Sequence, residues 1–168
     1  MKKYFLPLAI VLCAACNNSE TTTETKQDSS TQKMNEDSMK KMQTTSAVPE
    51  LPSVPDGAKV YFKNLKNDQA VSSPVKVEMG VDGMRVDTTG PVVAGSGHFH
   101  IFIDAEEVYP DGQMVPKDST HLHYGKGQTS ADVPLTPGKH KLTLQFADGL
   151  HRSYGTKMAT TVTVNVKK

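Results

Sequence analysis

The sequence predicts an all-β domain, an immunoglobulin-like antiparallel β-sandwich of about seven strands, over residues 58–168. Short runs of alternating apolar and polar residues indicate strands that have one face on a core. Turn signals such as "VDG", "YPDGQ", "TPGK" and "ADG" separate these runs. A small jelly roll or an open barrel would show the same signals and is the alternative architecture.

The alternation is clearest in four of the runs. Their apolar positions are Val60 and Phe62 in "KVYFKN", Val75, Val77 and Met79 in "PVKVEMGV", Leu142, Leu144 and Phe146 in "KLTLQF", and Val162, Val164 and Val166 near the C-terminus. Polar residues occupy the other parity, and side chains alternate across a strand. We therefore expect each strand to have one solvent-facing side.

The N-terminal residues 1–15 have the pattern of a signal peptide. Lys2 and Lys3 precede the apolar run "YFLPLAIVLCAA", which is too short to span a bilayer and ends in small residues. The ending "LCAAC" resembles a lipobox, in which the chain is cut before Cys16 and its thiol receives a lipid. Cys13 stands where an aliphatic residue is usual, and an ordinary signal-peptidase cut is the alternative. The favoured reading predicts an exported lipoprotein of a bacterial cell envelope, anchored to the membrane through Cys16 and facing the periplasm or the cell surface.

Residues 16–57 are predicted to form a disordered tether that begins at the lipidated cysteine. The stretch is rich in Ser, Thr, Lys, Glu and Gln, contains no aromatic residue, and ends in a group of prolines. A flexible coil of this length reaches roughly 35 Å. After signal removal and lipidation no free thiol would remain, so a metal in the domain could not be held by thiolate sulfur.

Charge and motif content exclude several classes of function. Nineteen basic and eighteen acidic residues give a net charge of +1, and the chain has no Trp, so it offers neither a basic field nor stacking platforms for nucleic acid. Gly-x-Ser-x-Gly and HExxH motifs are both absent. We expect a binding module and no enzyme; the remaining enzymatic alternative, a hydrolase with a histidine base, has only a serine near a histidine to support it. No feature of the sequence identifies a protein partner.

Two HxH pairs are the most distinctive polar feature of the domain. In "HFHIFID", Phe99 and Ile101 share one parity, which we expect to face the core, whereas His98 and His100 share the other and are expected to face outward. In "HLHY", the same rule places the two histidines at positions 121 and 123 on one face.

Each pair is a possible chelate, because residues two apart on a strand lie about 6.5–7 Å apart and two imidazoles can converge on one ion with bonds of about 2.0–2.1 Å. If the two strands are neighbours, His98, His100, His121 and His123 would together suit a copper or zinc ion. The weaker candidates are Asp104, His140, Asp148 and His151. His140 shares parity with Leu142 and is expected at the rim of the core, and Asp148 is expected to orient the imidazole of His151. The alternative is a structural or protein-interaction domain in which the histidines only brace loops.

The segments "GSGHFHIFID" and "HLHYGKGQTSADVPLTPGKHKLTLQFAD", followed by His151, resemble the signature of an uncharacterised bacterial family, DUF4399, over roughly Ser72 to Val166. The first element in that family often has three successive histidines, and Phe99 replaces the middle one here. The matching positions are His98, His100, Ile103, Asp104, His121, His123, Gly125, Lys126, Gly127, Gln128, Gly138, His140, Asp148 and His151. The resemblance implies an exported domain with clustered histidines and no named activity.

Overall fold

The computed structural model describes residues 47–105 and 108–168. The predicted signal peptide, the predicted lipidation site Cys16 and most of the predicted tether lie outside the described residues. Among the residues that are described, no helix is both long enough and apolar enough to cross a membrane.

The described residues form nine strands and one short 3-10 turn, at Thr156–Met158. The strands are β1 Lys59–Phe62, β2 Gln69–Val71, β3 Val75–Asp82, β4 Arg85–Val86, β5 Ser96–Ile103, β6 His121–Tyr124, β7 Ser130–Val133, β8 Gly138–Ala147 and β9 Ala159–Val166. The prediction of about seven strands was low because β2, β4 and β7 have two to four residues each and no clear apolar alternation.

The strands form two sheets, which confirms the predicted all-β sandwich. One sheet has the order β1-β3-β7, and the other has the order β2-β9-β8-β5-β4, with β6 added to β5. On one edge, β5 pairs with β8; on the other, it pairs first with β4 and then with β6. Two short pairings, β2 with β9 and β4 with β5, are parallel, whereas the sequence led us to expect antiparallel pairing throughout.

The core lies between the two sheets and contains the apolar parity of the long strands. Val77 and Met79 of β3 are fully buried there, as are Phe99 and Ile101 of β5 and Phe146 of β8. Burial of these apolar side chains is the main stabilising contribution, since each contributes on the order of 1.5–3 kcal/mol. The inward set predicted from the parity of "HFHIFID" is therefore confirmed.

The opposite face of β5 and β8 is also buried, which corrects the prediction that every strand has a solvent-facing side. His98, His100 and Gln145 are 0% exposed. Residues 108–120 and the turns after β8 cover this face: Tyr109 donates its backbone N–H to Gln145 Oε1 over 3.1 Å, and Gln145 Nε2 donates to the Gly155 carbonyl over 2.9 Å. Phe102 of β5 packs against Val115, which belongs to this cover. The covering segments have no apolar period, so their position could not be predicted from sequence pattern.

Candidate metal centre

The two HxH motifs lie on neighbouring strands. β5 and β6 pair antiparallel, with His100 opposite His123 and Phe102 opposite His121. Because the directly opposed residues of an antiparallel pair project to the same face, the imidazoles of His100 and His123 stand side by side. His98 projects to that face from the next position of equal parity on β5.

Three of the histidines form a compact group. His98, His100 and His123 each offer one ring nitrogen, and these three nitrogens all lie within 4.8 Å of one another. The Nε2 atoms of His98 and His100 are 3.0 Å apart. Ring centroids of the three residues are separated by 4.9 to 5.1 Å. The group is close enough for the three rings to bind one small ligand.

A fourth ring joins from the turn that follows β8. His151 Nε2 lies 3.0 Å from His123 Nε2, and its ring centroid is 5.0 Å from that of His98. We call these four residues the histidine cluster: His98, His100, His123 and His151. His151 was a weaker candidate in the sequence, where the signals for it were the nearby Asp148 and its position as the last histidine of the family-like pattern.

His121 does not belong to the cluster, although the sequence placed it in the favoured set. It stands opposite Phe102, so its ring packs against Phe102 and Tyr109, with centroid separations of 4.9 and 5.9 Å. Its Nδ1 is 2.9 Å from Asp118 Oδ1. The strand parity was correct, but the pairing register places His121 two residue pairs beyond the pair of His100 and His123. The fourth ring of the cluster is that of His151 instead.

Burial keeps the deepest two imidazoles neutral. Desolvation, followed by the charges of neighbouring histidines, lowers the pKa of His98 to about 4 and that of His100 to about 2. Desolvation also lowers the pKa of His123, which is partly exposed. Neutral imidazole is the form that binds metal ions. These rings are neutral at pH 7, so a metal ion would not have to displace a proton from them.

Two ring nitrogens in the cluster have no partner among the described residues. The Nδ1 atoms of His98 and His100 are buried and accept or donate no hydrogen bond. A hydrogen bond between their Nε2 atoms needs the proton on one ring and the lone pair on the other, so the second ring must carry a buried, unpaired Nδ1–H. An unsatisfied buried polar group costs about 1–3 kcal/mol. If the histidines had only a structural role, their buried ring nitrogens would be expected to form hydrogen bonds.

A glycine makes room for one of the rings. A Cβ at Gly125, in the "HLHYGKG" motif, would collide with the imidazole of His123 and with the methyl group of Thr89. Thr89 also donates its backbone N–H to the Gly125 carbonyl over 2.9 Å, so the strand end is held against the neighbouring loop. The glycine therefore lets the His123 ring lie directly over the backbone.

Two of the weaker candidates, Asp104 and His140, form a separate pair outside the cluster. His140 Nδ1 is 2.7 Å from Asp104 Oδ2, and its Nε2 is 2.9 Å from the Thr136 carbonyl. Both ring nitrogens thus face acceptors, and the hydrogen bond to Asp104 is the main cause of a raised pKa for His140. His140 is half-buried at the start of β8, as expected for a rim position.

The remaining weaker candidate, Asp148, is fully buried beside the cluster but does not hold the imidazole of His151. Its carboxylate is bound by Arg152, whose Nε lies 2.8 Å from Asp148 Oδ2. The carboxylate of Asp148 is thus hydrogen-bonded to Arg152 and not to the imidazole of His151: the guanidinium satisfies it with two nitrogens, which a single imidazole could not do.

Comparison with known proteins identifies the domain but not an activity. A family model described as a domain of unknown function, DUF4399, matches residues 77–167, which is more than half of the chain. No curated protein and no solved structure gives a significant match. The match includes the whole histidine cluster and confirms the resemblance drawn from the motifs. The chain belongs to the DUF4399 family.

Proposed function

We propose that the domain is a metal-binding module that holds one copper or zinc ion in the histidine cluster. The observation that carries the proposal is a group of three imidazoles, those of His98, His100 and His123, whose ring nitrogens lie within 4.8 Å of one another, with the Nε2 atom of His151 3.0 Å from that of His123. Two of the rings, those of His98 and His100, are fully buried, and each has an unpartnered Nδ1. Imidazole nitrogen is a preferred ligand of both copper and zinc.

The spacing of the rings supports such an ion. Two ligands of a tetrahedral ion with bonds of about 2.0–2.1 Å are about 3.3 Å apart. The Nε2 atoms of His98 and His100 are 3.0 Å apart, and those of His123 and His151 are separated by the same distance. Each of these two pairs of nitrogens is therefore within about 0.3 Å of the spacing of two ligands on one tetrahedral ion.

The origin of the four rings favours tetrahedral coordination. His98, His100 and His123 rise from one face of a sheet, whereas His151 approaches from a turn after β8. Donors that come from two directions suit zinc or cuprous copper, which have no electronic preference for a plane, better than square-planar cupric copper.

The experiment measures metal binding by the purified full chain, stripped of metal and titrated with zinc and with cuprous copper against a chromophoric chelator. His151→Ala is compared with His121→Ala, a matched control because His121 lies outside the cluster on the same motif. We expect one equivalent of metal in the parent protein, a loss of at least tenfold in affinity for His151→Ala, and little change for His121→Ala. Absence of binding by the parent protein, or equal losses in the two variants, would overturn the proposal. Equal losses would instead support the structural alternative.

We also propose that the chain is an exported lipoprotein in which the lipid on Cys16 anchors the metal-binding domain to a membrane. The support is the basic start, the short apolar run and the "LCAAC" ending. In bacterial cells fed a palmitate analogue, we expect the parent protein to be labelled and Cys16→Ser to remain unlabelled. Labelling of the variant would reject Cys16 as the lipid site.

A further inference from the structure

The turn that contains His151 is held by hydrogen bonds to a single buried carboxylate, that of Asp148. Asp148 Oδ1 accepts hydrogen bonds from the backbone N–H groups of Leu150 and Arg152, over 2.9 and 2.8 Å. Asp148 Oδ2 accepts from Arg152 Nε and Nη2, over 2.8 and 2.6 Å. The backbone closes the same turn, because Asp148 donates its N–H to the Arg152 carbonyl over 2.9 Å. All four donors converge on one side chain that is 0% exposed.

His151 sits inside this turn in a conformation that it would not adopt by itself. Its φ is 67°, in the left-handed region that residues other than glycine rarely occupy. Its N–H donates to the Asp148 carbonyl over 2.9 Å, and its own carbonyl accepts from Val115 over 2.8 Å. Such a conformation persists where the surroundings impose it, and here it accompanies an imidazole that contacts His123.

Arg152 ties the turn to a distant part of the chain. Its Nη1 donates to the Pro49 carbonyl over 2.6 Å, and Nη2 donates to the Glu50 carbonyl over 3.3 Å. The planar guanidinium thus bridges Asp148 and a segment about one hundred residues earlier, which lies at the end of the predicted tether. The arginine side chain is only 13% exposed, so the bridge is largely shielded from water.

We infer that Asp148 and Arg152 form a latch that sets the position of His151 as the fourth metal ligand, and that the backbone of Pro49 and Glu50 completes it. This inference rests on the proposed function. Both latch residues act through His151 and bind no metal themselves. Without the latch, His151 is free to leave its left-handed conformation, and the ion keeps three histidines and an open coordination position.

The test is a double-mutant cycle for zinc affinity in the full chain: Asp148→Asn, His151→Ala and the double variant. Asn keeps one acceptor oxygen but replaces the other with an NH2 donor, which then faces either the guanidinium of Arg152 or the backbone N–H groups of Leu150 and Arg152. Donors would face donors on one side of the residue, so the latch opens. We expect Asp148→Asn to weaken zinc binding by about 10–100-fold, as does loss of other groups that orient ligands. In the His151→Ala background, we expect the same change to have less than a twofold effect, because there is no fourth ligand left to position.

Asp118→Asn is the matched control, since Asp118 also closes a turn on a histidine, but on His121 outside the cluster. Cobalt substitution adds a readout that lost stability would not move. The cobalt absorption bands of Asp148→Asn are expected to shift as water replaces an imidazole nitrogen in the open position, and those of Asp118→Asn are expected to match the parent. Equal zinc losses from Asp148→Asn with and without His151, or a parent-like cobalt spectrum, would overturn the latch.

Arg152→Lys keeps the positive charge next to Asp148 but lacks the planar fork that spans Asp148 and both upstream carbonyls. It is the second variant in case Asp148→Asn does not fold, and we expect a several-fold loss in zinc affinity and the same direction of cobalt change. Parent-like values in folded Arg152→Lys would also overturn the latch.

The failure of the latch can be told from the failure of the proposed function. If the parent protein binds no metal, the proposed function itself fails. If it binds metal through His151 but no latch variant changes binding, only the latch fails.

Discussion

His100 and His123 lie directly opposite each other on β5 and β6, with their ring centroids 5.1 Å apart. This cross-strand pair joins the two HxH motifs, which are separated by a covering segment of the chain. It also places a fully buried ring beside a partly exposed one. If an ion is bound, His100 anchors it from the interior and His123 lies on the side from which it can arrive.

Zinc should stabilise the folded protein, because the four rings converge only in the native state. A ligand that binds the native state alone, at a free concentration 100 times its Kd, adds about 2.7 kcal/mol to the free energy of unfolding. Thermal unfolding of the parent protein should shift upward with zinc and return after addition of a chelator. His123→Ala should show no zinc-dependent shift; a shift equal to that of the parent would remove His123 from the site.

The metal-free protein should lose stability as the solution becomes acidic. The folded-state pKa of His98 is about 4 and that of His100 about 2, both below the ordinary value of 6.5. Above pH 6.5 neither state takes up a proton at these rings; below it, only the unfolded state does so, until the folded pKa values are reached. Urea unfolding should therefore show a steady fall in stability from about pH 6.5 to pH 4. His98→Gln should have a shallower fall, and an unchanged slope would contradict the assignment.

His140 should respond to pH in the opposite direction. Its pKa is raised by the hydrogen bond to Asp104, so the stability from this pair is fully present below the unfolded value of 6.5 and is lost as the pH rises through the folded value. In an NMR titration, His140 should deprotonate above pH 6.5, and Asp104→Asn should move its midpoint down. If the titration midpoint of His140 is the same in Asp104→Asn as in the parent, the hydrogen bond between the two residues does not persist in solution.

Gly125→Ala should weaken metal binding by moving the ring of His123. The added methyl group collides with that imidazole, so the ring must rotate away from His100 and His151. Gly80→Ala is the control, since its methyl group meets Tyr61 on the three-stranded sheet instead. We expect at least a tenfold loss of zinc affinity for Gly125→Ala, measured by chelator competition. Similar losses in both variants would attribute the effect to general destabilisation.

His100→Leu should abolish metal binding while costing little stability in the metal-free protein. The substitution removes a buried ring that carries an unpartnered nitrogen and replaces it with an apolar side chain of similar volume. We expect the free energy of unfolding to change by less than about 1.5 kcal/mol, whereas Ile101→Ala on the other face should cost about 2–5 kcal/mol. Both values come from urea unfolding without metal. A loss as large as that of Ile101→Ala would indicate that His100 has a structural role.

Strand parity predicted much of the fold and half of the site. The alternation in "HFHIFID" placed Phe99 and Ile101 in the core and grouped His98 with His100, and the structure agrees. Such information is local, because the direction of a side chain depends only on its place along the strand. The cross-strand register is not local, and it decides that His123 joins the cluster and His121 does not.

Irregular segments, which have no repeating pattern of apolar residues, bury the cluster and position His151 in it. His151 follows a turn whose geometry is set by Asp148 and Arg152 through contacts that no spacing rule describes. The cover over β5 depends similarly on single contacts, such as the one from Tyr109 to Gln145. The sequence therefore indicated which residue types were available but not which of them would meet.

Both faces of β5 are buried. Successive residues of the strand face the apolar core and the histidine cluster in turn. The distance from His98 to His100 is consequently a property of the pleat and cannot be adjusted by loop length. Insertion of one residue between them would place an imidazole among the apolar side chains and a phenyl ring in the cluster. We therefore expect the motif to accept exchange of side chains at fixed positions but not a change in length.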